Sequence, residues 1–564
     1  MRFRIGPFIF ASLFLGASAL SGGPASATDP KDLAKGIDAV FAEYAKPGSP
    51  GCSLAVIRDG RIVYEKGYGL ANLEHGVPID PKRTVFDIGS TSKQFTASSI
   101  LLLARDGKLS LDDDIHKLLP ELPDYGTPIT IRHLLHHTSG VRDYINLMIM
   151  GGINFEDYTM DDDALAAIAR QKTLDFPPGS EHSYSNSGYF LLSQIIKRVS
   201  GKTFREFAQE RIFTPLGMSN SRILDDHLEV IPHRATAYGA HPGGGFGVEM
   251  SNWEQTGDGG VQTTVEDLAK WDRNFYDPKV GGPWLIEQLQ TTGTLNDGEK
   301  IDYARGLMVD EYRGLRRVSH SGGWAGYRAE LIRFPDQKLS VVTLCNLGTT
   351  NPTALAQRVA DLYLADKLAP AEAVATAKPK APANVTVDAS RYTGVYWSST
   401  SGFVRRIIAR DGKLFYSRGQ DSESELAPQG DDHFLMLGVP GTAEVSFPSA
   451  DPGAPRRMQV ASGGKPIAFE EVQPASPRPE DLAAYAGTYT SAELDAIWPL
   501  VVEDGRLSLR IKRRPAAPLE PAFTDAFNSA AGLIRFQRDA ENKVTGFVVG
   551  AGRARNLKFT KAVE

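Results

Sequence analysis

Three short clusters of polar residues have the types and spacing that nucleophilic catalysis requires. The first is Ser90-Thr-Ser-Lys93, which follows a strand-like segment, residues 85–89, and begins a run of small and apolar residues typical of a buried helix. Residues three apart on a helix share a face, so the Lys93 side chain is expected beside the Ser90 hydroxyl. An alcohol needs a base to become a nucleophile, and a lysine is a base only when burial lowers its pKa.

The Ser-x-x-Lys spacing is a weak signal by itself. It recurs at Ser462-Gly-Gly-Lys465, in a Gly-rich turn with no helix. A helix that begins near Ser90 would add free N–H groups suited to a developing oxyanion. On spacing alone, a catalytic and a purely structural Ser90 are equally supported.

The second cluster is Tyr184-Ser-Asn186, which precedes a helical stretch. A phenol beside a lysine can move a proton between a nucleophile and a leaving group, and an amide can orient both the lysine and a substrate carbonyl. Tyr144-Ile-Asn146 has the same pattern, and an isolated tyrosine usually packs in a core.

The third cluster is His320-Ser-Gly322-Gly323, immediately before two strand-like segments. Glycines there allow a substrate backbone to lie along a strand edge, and the Gly323 N–H is a candidate oxyanion donor.

The elements that must position these clusters predict an α+β domain. Residues 51–68 read as a hairpin and residues 326–346 as a second pair of strands. Helical stretches lie between them, at 91–104, 162–171, 187–199 and 265–275. Thr263 and Glu266 form a capping-box pattern before the last helix. Strands at both ends of a helical middle fit one antiparallel sheet flanked by helices.

The two cysteines, Cys52 and Cys345, lie at the start of the first strand and the end of the last. If those strands pair antiparallel, the two residues meet. The sequence leaves open either a disulfide or two buried thiols that act as small hydrophobic groups.

The second part of the chain has a different composition. Residues 369–386 read as an Ala/Pro-rich linker. Beyond it, Tyr392-Thr-Gly-Val-Tyr396 resembles Tyr485-Ala-Gly-Thr-Tyr489, and Asp411-Gly-Lys-Leu414 resembles Asp504-Gly-Arg-Leu507 at the same offset. A register kept across two matches predicts two related small β-domains, 387–473 and 478–564, each a barrel or sandwich.

The N-terminus predicts export. Arg2 and Arg4 precede an apolar stretch, and Ala25-Ser-Ala27 offers the small residues that a signal peptidase reads. We expect a cleaved signal peptide, 1–27, a mature chain from about Thr28, and a periplasmic or secreted protein without a transmembrane segment. The net charge of −6 and the lack of a basic block argue against a nucleic-acid partner.

The sequence indicates neither a metal nor a cofactor. His133, His136 and His137 are close in sequence, but no carboxylate is placed as in a zinc-binding helix. There is no Gly-x-Ser-x-Gly elbow and no Gly-rich phosphate loop, so α/β-hydrolase and nucleotide-binding functions are not expected.

Taken together, the motifs resemble the serine β-lactamase and penicillin-recognising superfamily. Ser-x-x-Lys, Tyr-x-Asn and His-x-Gly occur in the order found in the branch of class C β-lactamases, D-alanyl-D-alanine carboxypeptidases, family VIII esterases and D-aminopeptidases (peptidase family S12). The stretches 131–140 and 257–268 are similar to this branch as well, and the resemblance covers about 35–365. It implies a β-lactamase/transpeptidase-like catalytic domain, 28–368, and selects Ser90 over Ser462 and Tyr184 over Tyr144.

The resemblance also implies site roles. Ser90 would be the nucleophile, Lys93 and Tyr184 the proton-transfer groups, and Asn186, His320, Gly322 and Gly323 the oxyanion and substrate-binding residues. The substrate would be a small peptide, amide or ester, with D-residue-containing peptides favoured and a homodimer left open. The alternatives are a carboxylesterase, a weak β-lactamase and a penicillin-binding sensor without turnover.

The two β-domains are similar to the three-domain architecture of D-aminopeptidases, in which the last domain sends a long loop into the active site. The corresponding segment here, about 513–531, looks short. This predicts a more open cleft. The Ala/Pro-rich linker predicts that the β-domains attach to the catalytic domain through surface contacts rather than through continuous secondary structure.

Overall fold

The protein is described by a computed structural model that covers residues 30–370 and 387–562, except 420–421, 431, 440–442, 450, 452, 463–464, 512–514 and 551. The predicted signal peptide, 1–27, and residues 371–386 of the predicted linker lie outside the described residues.

The catalytic part, residues 30–370, combines short and long strands with eleven α-helices among its described residues. The strands are β1 (Cys52–Arg58), β2 (Arg61–Tyr68), β3 (Leu70–Asn72), β4 (Val77–Pro78), β5 (Phe86–Asp87), β6 (Arg222–Ile223), β7 (Tyr238–Ala240), β8 (Phe246–Val248), β9 (Val261–Thr263), β10 (Met308–Tyr312), β11 (Leu315–Trp324), β12 (Tyr327–Phe334) and β13 (Leu339–Cys345). The helices are α1 (Pro30–Val40), α2 (Lys93–Arg105), α3 (Ile131–Leu135), α4 (Tyr144–Met150), α5 (Asp161–Ala169), α6 (Asn186–Ser200), α7 (Phe204–Ala208), α8 (Thr214–Leu216), α9 (Val265–Arg273), α10 (Gly282–Leu289) and α11 (Pro352–Tyr363).

One antiparallel sheet, in the order β10-β11-β12-β13-β1-β2, organises this part. The predicted pairing of the first and last strands is confirmed: Cys52 lies opposite Cys345, and a disulfide joins them. Helices cover both faces, so strand β1 is buried from Cys52 to Ile57. Leu54 and Val56 pack against α1 and α11, whereas the alternate residues pack in the larger core that contains α2.

The capping box predicted from Thr263 and Glu266 is wrong by one residue. Thr263 is the last residue of β9 and pairs with Phe86, so it is not available as a cap. Thr264 caps α9 instead, and its hydroxyl accepts a hydrogen bond from the Asp267 N–H at 3.2 Å.

Two antiparallel β-units follow. The first is a closed barrel of β14 (Gly394–Trp397), β15 (Val404–Arg410), β16 (Lys413–Ser417), β17 (Glu423–Gly430), β18 (His433–Met436), β19 (Glu444–Ser446), β20 (Arg457–Ala461) and β21 (Ile467–Val472). The last is a nearly closed nine-stranded sheet of β22 (Gly487–Ser491), β23 (Ala496–Glu503), β24 (Arg506–Leu509), β25 (Ala517–Pro518), β26 (Glu520–Phe523), β27 (Ala526–Ser529), β28 (Gly532–Arg538), β29 (Val544–Gly550) and β30 (Leu557–Lys561). The predicted fold class, an α+β catalytic domain followed by two small β-barrel-like domains, is confirmed.

The last β-unit packs closely on the catalytic part. Its apolar interior is continuous with the large core of the catalytic part. The Trp498 Nε1–H donates to the Met150 carbonyl at 3.2 Å, and the Glu493 carboxylate lies 2.9 Å from the buried Arg142 guanidinium. Among the described residues no sheet joins the two parts, and the contacts that hold them together include buried ionic and apolar groups.

Among the described helices, none is both long and apolar enough to cross a bilayer.

Candidate active site

Ser90 lies at a sharp connection between a strand and a helix. Strand β5 ends at Asp87, a single 3₁₀ turn spans Gly89–Ser92, and α2 begins at Lys93. Gly89 has a φ of +48°, and a Cβ there would lie 2.6 Å from the Gly323 nitrogen. The Asp87 carboxylate accepts a hydrogen bond from the Gly89 N–H at 2.7 Å. These constraints hold Ser90 close to strand β11.

The Lys93 side chain is buried beside Ser90. Its Nζ lies 3.1 Å from Ser90 Oγ, 3.0 Å from Asn186 Oδ1 and 2.7 Å from the Asp258 carbonyl oxygen. Burial lowers the pKa of Lys93 to about 7, and the positive charge of Arg553 acts in the same direction. The carboxylates of Asp258 and Asp143 oppose this shift. A lysine in this environment can be neutral and act as a base.

The Tyr184 side chain is half-buried against Lys93, with its hydroxyl oxygen buried. The Lys93 Nζ lies 4.8 Å from the Tyr184 ring centroid, and the Arg553 guanidinium carbon lies 4.6 Å from it. Burial raises the pKa of Tyr184, while the neighbouring Ser90 hydroxyl and the Arg553 charge oppose the rise. Tyr184 therefore keeps its proton at neutral pH and can donate it.

His137 has a structural part in placing Tyr184. Its ring lies 4.1 Å from the Tyr184 ring, centroid to centroid, and its Nδ1 accepts from the Ser185 N–H at 3.1 Å. The other two histidines of the sequence cluster have different partners: His133 Nδ1 accepts from the Thr130 N–H, and His136 Nδ1 contacts the Tyr303 carbonyl. The three rings thus have separate hydrogen-bonding partners.

Strand β11 brings the third cluster to the site. His320 is buried, with Nε2 3.0 Å from the Tyr303 hydroxyl and Nδ1 2.6 Å from the Ser321 carbonyl. Burial, with the charge of Lys93, lowers the pKa of His320 to about 4, so the ring is neutral at physiological pH. Gly322 allows the strand to approach, since a Cβ there would lie 1.9 Å from the Ile88 carbonyl oxygen.

All seven predicted site residues meet around one cleft of about 500 Å³. Six of them line it, and Lys93 lies behind Ser90. The lining residues are Gly89, Ser90, Ile145, His182, Tyr184, Asn186, Asp258, Gly259, Tyr303, Met308, His320, Ser321, Gly322, Gly323, Trp324 and Arg553.

Three residues of the site were not predicted from the sequence. Asp258 accepts a hydrogen bond from the Tyr144 hydroxyl at 3.2 Å, and its carbonyl contacts Lys93. Tyr144, the tyrosine of the other Tyr-x-Asn sequence, therefore lies near Lys93 and is connected to it through Asp258. Tyr303 supports His320. Arg553 comes from the last β-unit, far from the three polar clusters in the chain, and nothing in its local sequence indicates a role in the site.

That the short segment 513–531 leaves a more open cleft stays a prediction. Residues 513 and 514 of the segment 513–531 lie outside the described residues. A different segment of the last β-unit, the turn between β29 and β30, reaches the cleft and lines it with Arg553.

Comparison with known proteins agrees with this geometry. The profile of the family described as Beta-lactamase matches residues 37–366, more than half of the chain. The chain belongs to the beta-lactamase family. This match covers the sheet, the helices and all three polar clusters, while the two β-units lie beyond it.

Relatives within and around the beta-lactamase family extend the likeness to the tail. A D-aminopeptidase from Gluconobacter oxydans (strain 621H) is 29% identical over 93% of this chain and 98% of that protein. Penicillin-binding protein 4* from Bacillus subtilis (strain 168) is 30% identical over 69% of this chain and 88% of that protein. The octameric penicillin-binding protein homologue from Pyrococcus abyssi has a TM-score of 0.56 and 26% identity, over 78% of this chain and 100% of that one. This member of the beta-lactamase family is a serine hydrolase of the peptidase or amidase type.

Proposed function

We propose that the protein is an exported serine hydrolase that cleaves small peptides or amides containing D-residues through an acyl-enzyme on Ser90. The observation that carries the proposal is the buried Lys93 amine 3.1 Å from the Ser90 hydroxyl, with its pKa lowered to about 7. The relatives named D-aminopeptidase support the choice of D-residues.

The hydrogen bonds of Lys93 explain how it acts as a base. A neutral amine has two N–H groups and one lone pair. The Asn186 Oδ1 and the Asp258 carbonyl oxygen accept the two N–H groups, at 3.0 and 2.7 Å. The lone pair is then free to accept the Ser90 O–H, and the proton moves to Lys93 as Ser90 Oγ bonds to the substrate carbonyl carbon.

The Tyr184 hydroxyl supplies the proton that the leaving group needs. Because burial raises the pKa of Tyr184, the phenol is protonated when the tetrahedral intermediate collapses. The C–N bond breaks as Tyr184 gives its proton to the nitrogen, and the proton held by Lys93 restores the phenol. The Ser90 and Gly323 amides are the proposed donors to the oxyanion. Water then attacks the ester by the same route in reverse, and no step requires a cofactor.

A second function is favoured by the likeness to a penicillin-binding protein: stable acylation by a β-lactam without turnover. The chemistry of acylation is the same for both functions, and the rate of deacylation separates them. A cephalosporin that labels Ser90 without measurable release, together with no peptide turnover, would favour the binding protein.

The test is a turnover panel of D- and L-aminoacyl amides, D-Ala-D-Ala peptides, short-chain esters and a cephalosporin. We expect D-residue substrates to be cleaved and Ser90→Ala to abolish hydrolysis and fluorophosphonate labelling. Ser462→Ala is the matched control, because the exposed Ser462 begins the other Ser-x-x-Lys sequence. Turnover retained by Ser90→Ala, or labelling of another serine, would contradict the assignment.

Export, a mature N-terminus near Thr28 and a homodimer are parts of the same proposal. Cell fractionation, N-terminal sequencing of the mature protein and light scattering test them in turn. An uncleaved cytoplasmic chain would contradict export without affecting the catalytic assignment.

A further inference from the structure

Arg553, from the last β-unit, lies at the catalytic cleft. It is in the turn between β29 and β30, and its guanidinium carbon lies 4.6 Å from the centroid of the Tyr184 ring. It lines the same cleft as Ser90 and Gly323. A flexible, cationic side chain is thus placed beside the proposed proton donor to the leaving group.

The turn that carries Arg553 is fixed to the catalytic part at two points. The Arg553 carbonyl accepts a hydrogen bond from the Asp143 N–H at 2.9 Å. Two residues further on, the Arg555 N–H donates to Asp175 Oδ1 at 2.8 Å, and the Arg555 guanidinium donates to Glu181 at 3.0 Å. These anchors reduce the cost of ordering the turn when a ligand binds.

The charge of Arg553 has no acidic partner among the residues that the structure describes. Its side chain is exposed, and it forms no ion pair with any residue that the structure describes, in contrast to Arg555. The acidic residue that lines the cleft, Asp258, is buried and bonded to the Tyr144 hydroxyl. The exposed charge at the cleft is therefore positive, and a guanidinium matches the geometry of a carboxylate.

We propose that Arg553 binds a carboxylate carried by the leaving group, which makes it a specificity-determining residue for short peptides cleaved next to a free C-terminus. The inference rests on the proposed function. In a C-terminal residue the amine and the carboxylate are attached to the same carbon, so an amine that takes its proton from Tyr184 brings its carboxylate towards Arg553. The scissile C–N bond breaks, the Tyr184 proton goes to the nitrogen, and the amino acid leaves with its carboxylate on Arg553.

The test compares kcat/KM for D-alanyl-D-alanine with that for D-alanyl-D-alanine carboxamide. Both are measured at a pH above the acidic limb of the pH profile, where kcat/KM no longer depends on pH. Wild-type enzyme should favour the free acid, and Arg553→Gln should lower the acid-to-amide ratio about tenfold to a hundredfold, the usual value of a charge-assisted hydrogen bond. Arg553→Lys should lower it less. The matched control is Arg535→Gln, since Arg535 also stacks on an aromatic ring, that of Trp397 at 4.7 Å, but does not line the cleft. It should leave the ratio unchanged.

A second measurement does not depend on the folding of a variant. Free D-alanine should inhibit wild-type enzyme at lower concentration than D-alaninol does, since D-alaninol has the same amine but neither a carboxylate nor an amide bond to cleave. Equal inhibition by the two compounds, or an equal loss of both activities in a folded Arg553→Gln, would overturn the inference while leaving the Ser90 mechanism intact. Turnover retained by Ser90→Ala would overturn the proposed function, and this inference with it.

Discussion

The Glu493 carboxylate of the last β-unit lies 2.9 Å from the guanidinium of Arg142, the residue that immediately precedes the helix cap Asp143. Asp143 in turn accepts the Asn186 N–H at 2.7 Å, and Asn186 holds Lys93. The interface between the two parts of the chain is thus linked to Lys93 through the peptide bond between Arg142 and Asp143 and a short series of polar contacts.

We predict that Glu493→Ala destabilises the protein and lowers turnover together. Both groups of the pair are at most 10% exposed in their side chains, so the change leaves a buried arginine with fewer partners. The expected loss in the free energy of unfolding is about 3 kcal/mol. Urea denaturation and kcat measure the two effects. Glu480→Ala is the control, because its pair with Arg478 is exposed and should contribute less than about 1 kcal/mol. Equal stability of the two variants would contradict the prediction.

The second prediction concerns the pH dependence of catalysis. Lys93 must be neutral to accept a proton, and burial lowers its pKa to about 7. The value of kcat/KM should therefore rise as the pH increases through about 7. It should reach its plateau at a pH well below the usual lysine pKa of about 10.4. Lys93→Ala should lose at least about a hundredfold in kcat. A profile that rises only near pH 10, or near-native turnover by the variant, would exclude Lys93 as the base.

The third prediction separates the roles of Lys93 and Tyr184. Tyr184→Phe removes the donor to the leaving group, so it should impair amide hydrolysis by about a hundredfold or more. It should impair hydrolysis of a nitrophenyl ester much less, because a nitrophenolate leaves without a proton. The control, Tyr158→Phe, changes a tyrosine that is 54% exposed and should leave both rates unchanged. An equal loss for both substrates would indicate a role in positioning instead.

The fourth prediction concerns the charge of Arg553. That charge lowers the pKa of Lys93, so Arg553→Gln should raise it. The acidic limb of kcat/KM for a neutral amide substrate should then move to higher pH, whereas Arg553→Lys, which keeps the charge, should move it less. Full pH profiles of the three proteins give the comparison. A limb that moves to lower pH would show that the two cations do not interact as the structure predicts.

Local chemistry in the sequence was sufficient to predict much of this protein. Ser90 and Lys93 are three residues apart on one helical turn, and the strands that contain Cys52 and Cys345 alternate with turns and helices that the residue types specify directly. Short-range spacing, helix propensity and turn residues act over a few positions, which is why the order of strands and helices and the candidate clusters could be predicted from them. The choice of Ser90 over Ser462 and of Tyr184 over Tyr144 needed the resemblance of the whole motif set to a known family.

Other features depend on contacts between distant segments. The choice of Thr264 over Thr263 as a helix cap depends on the pairing of Thr263 with Phe86 across the fold. The burial of Glu493 and the presence of Arg553 at the cleft depend on how the last β-unit docks on the catalytic part. Docking is set by the shape and burial of whole surfaces, and the local sequence around an arginine in a turn is the same whether its side chain faces water or the Tyr184 ring. The sequence alone therefore located the three polar clusters, and only the tertiary structure decided that Arg553 of the last β-unit lies beside them.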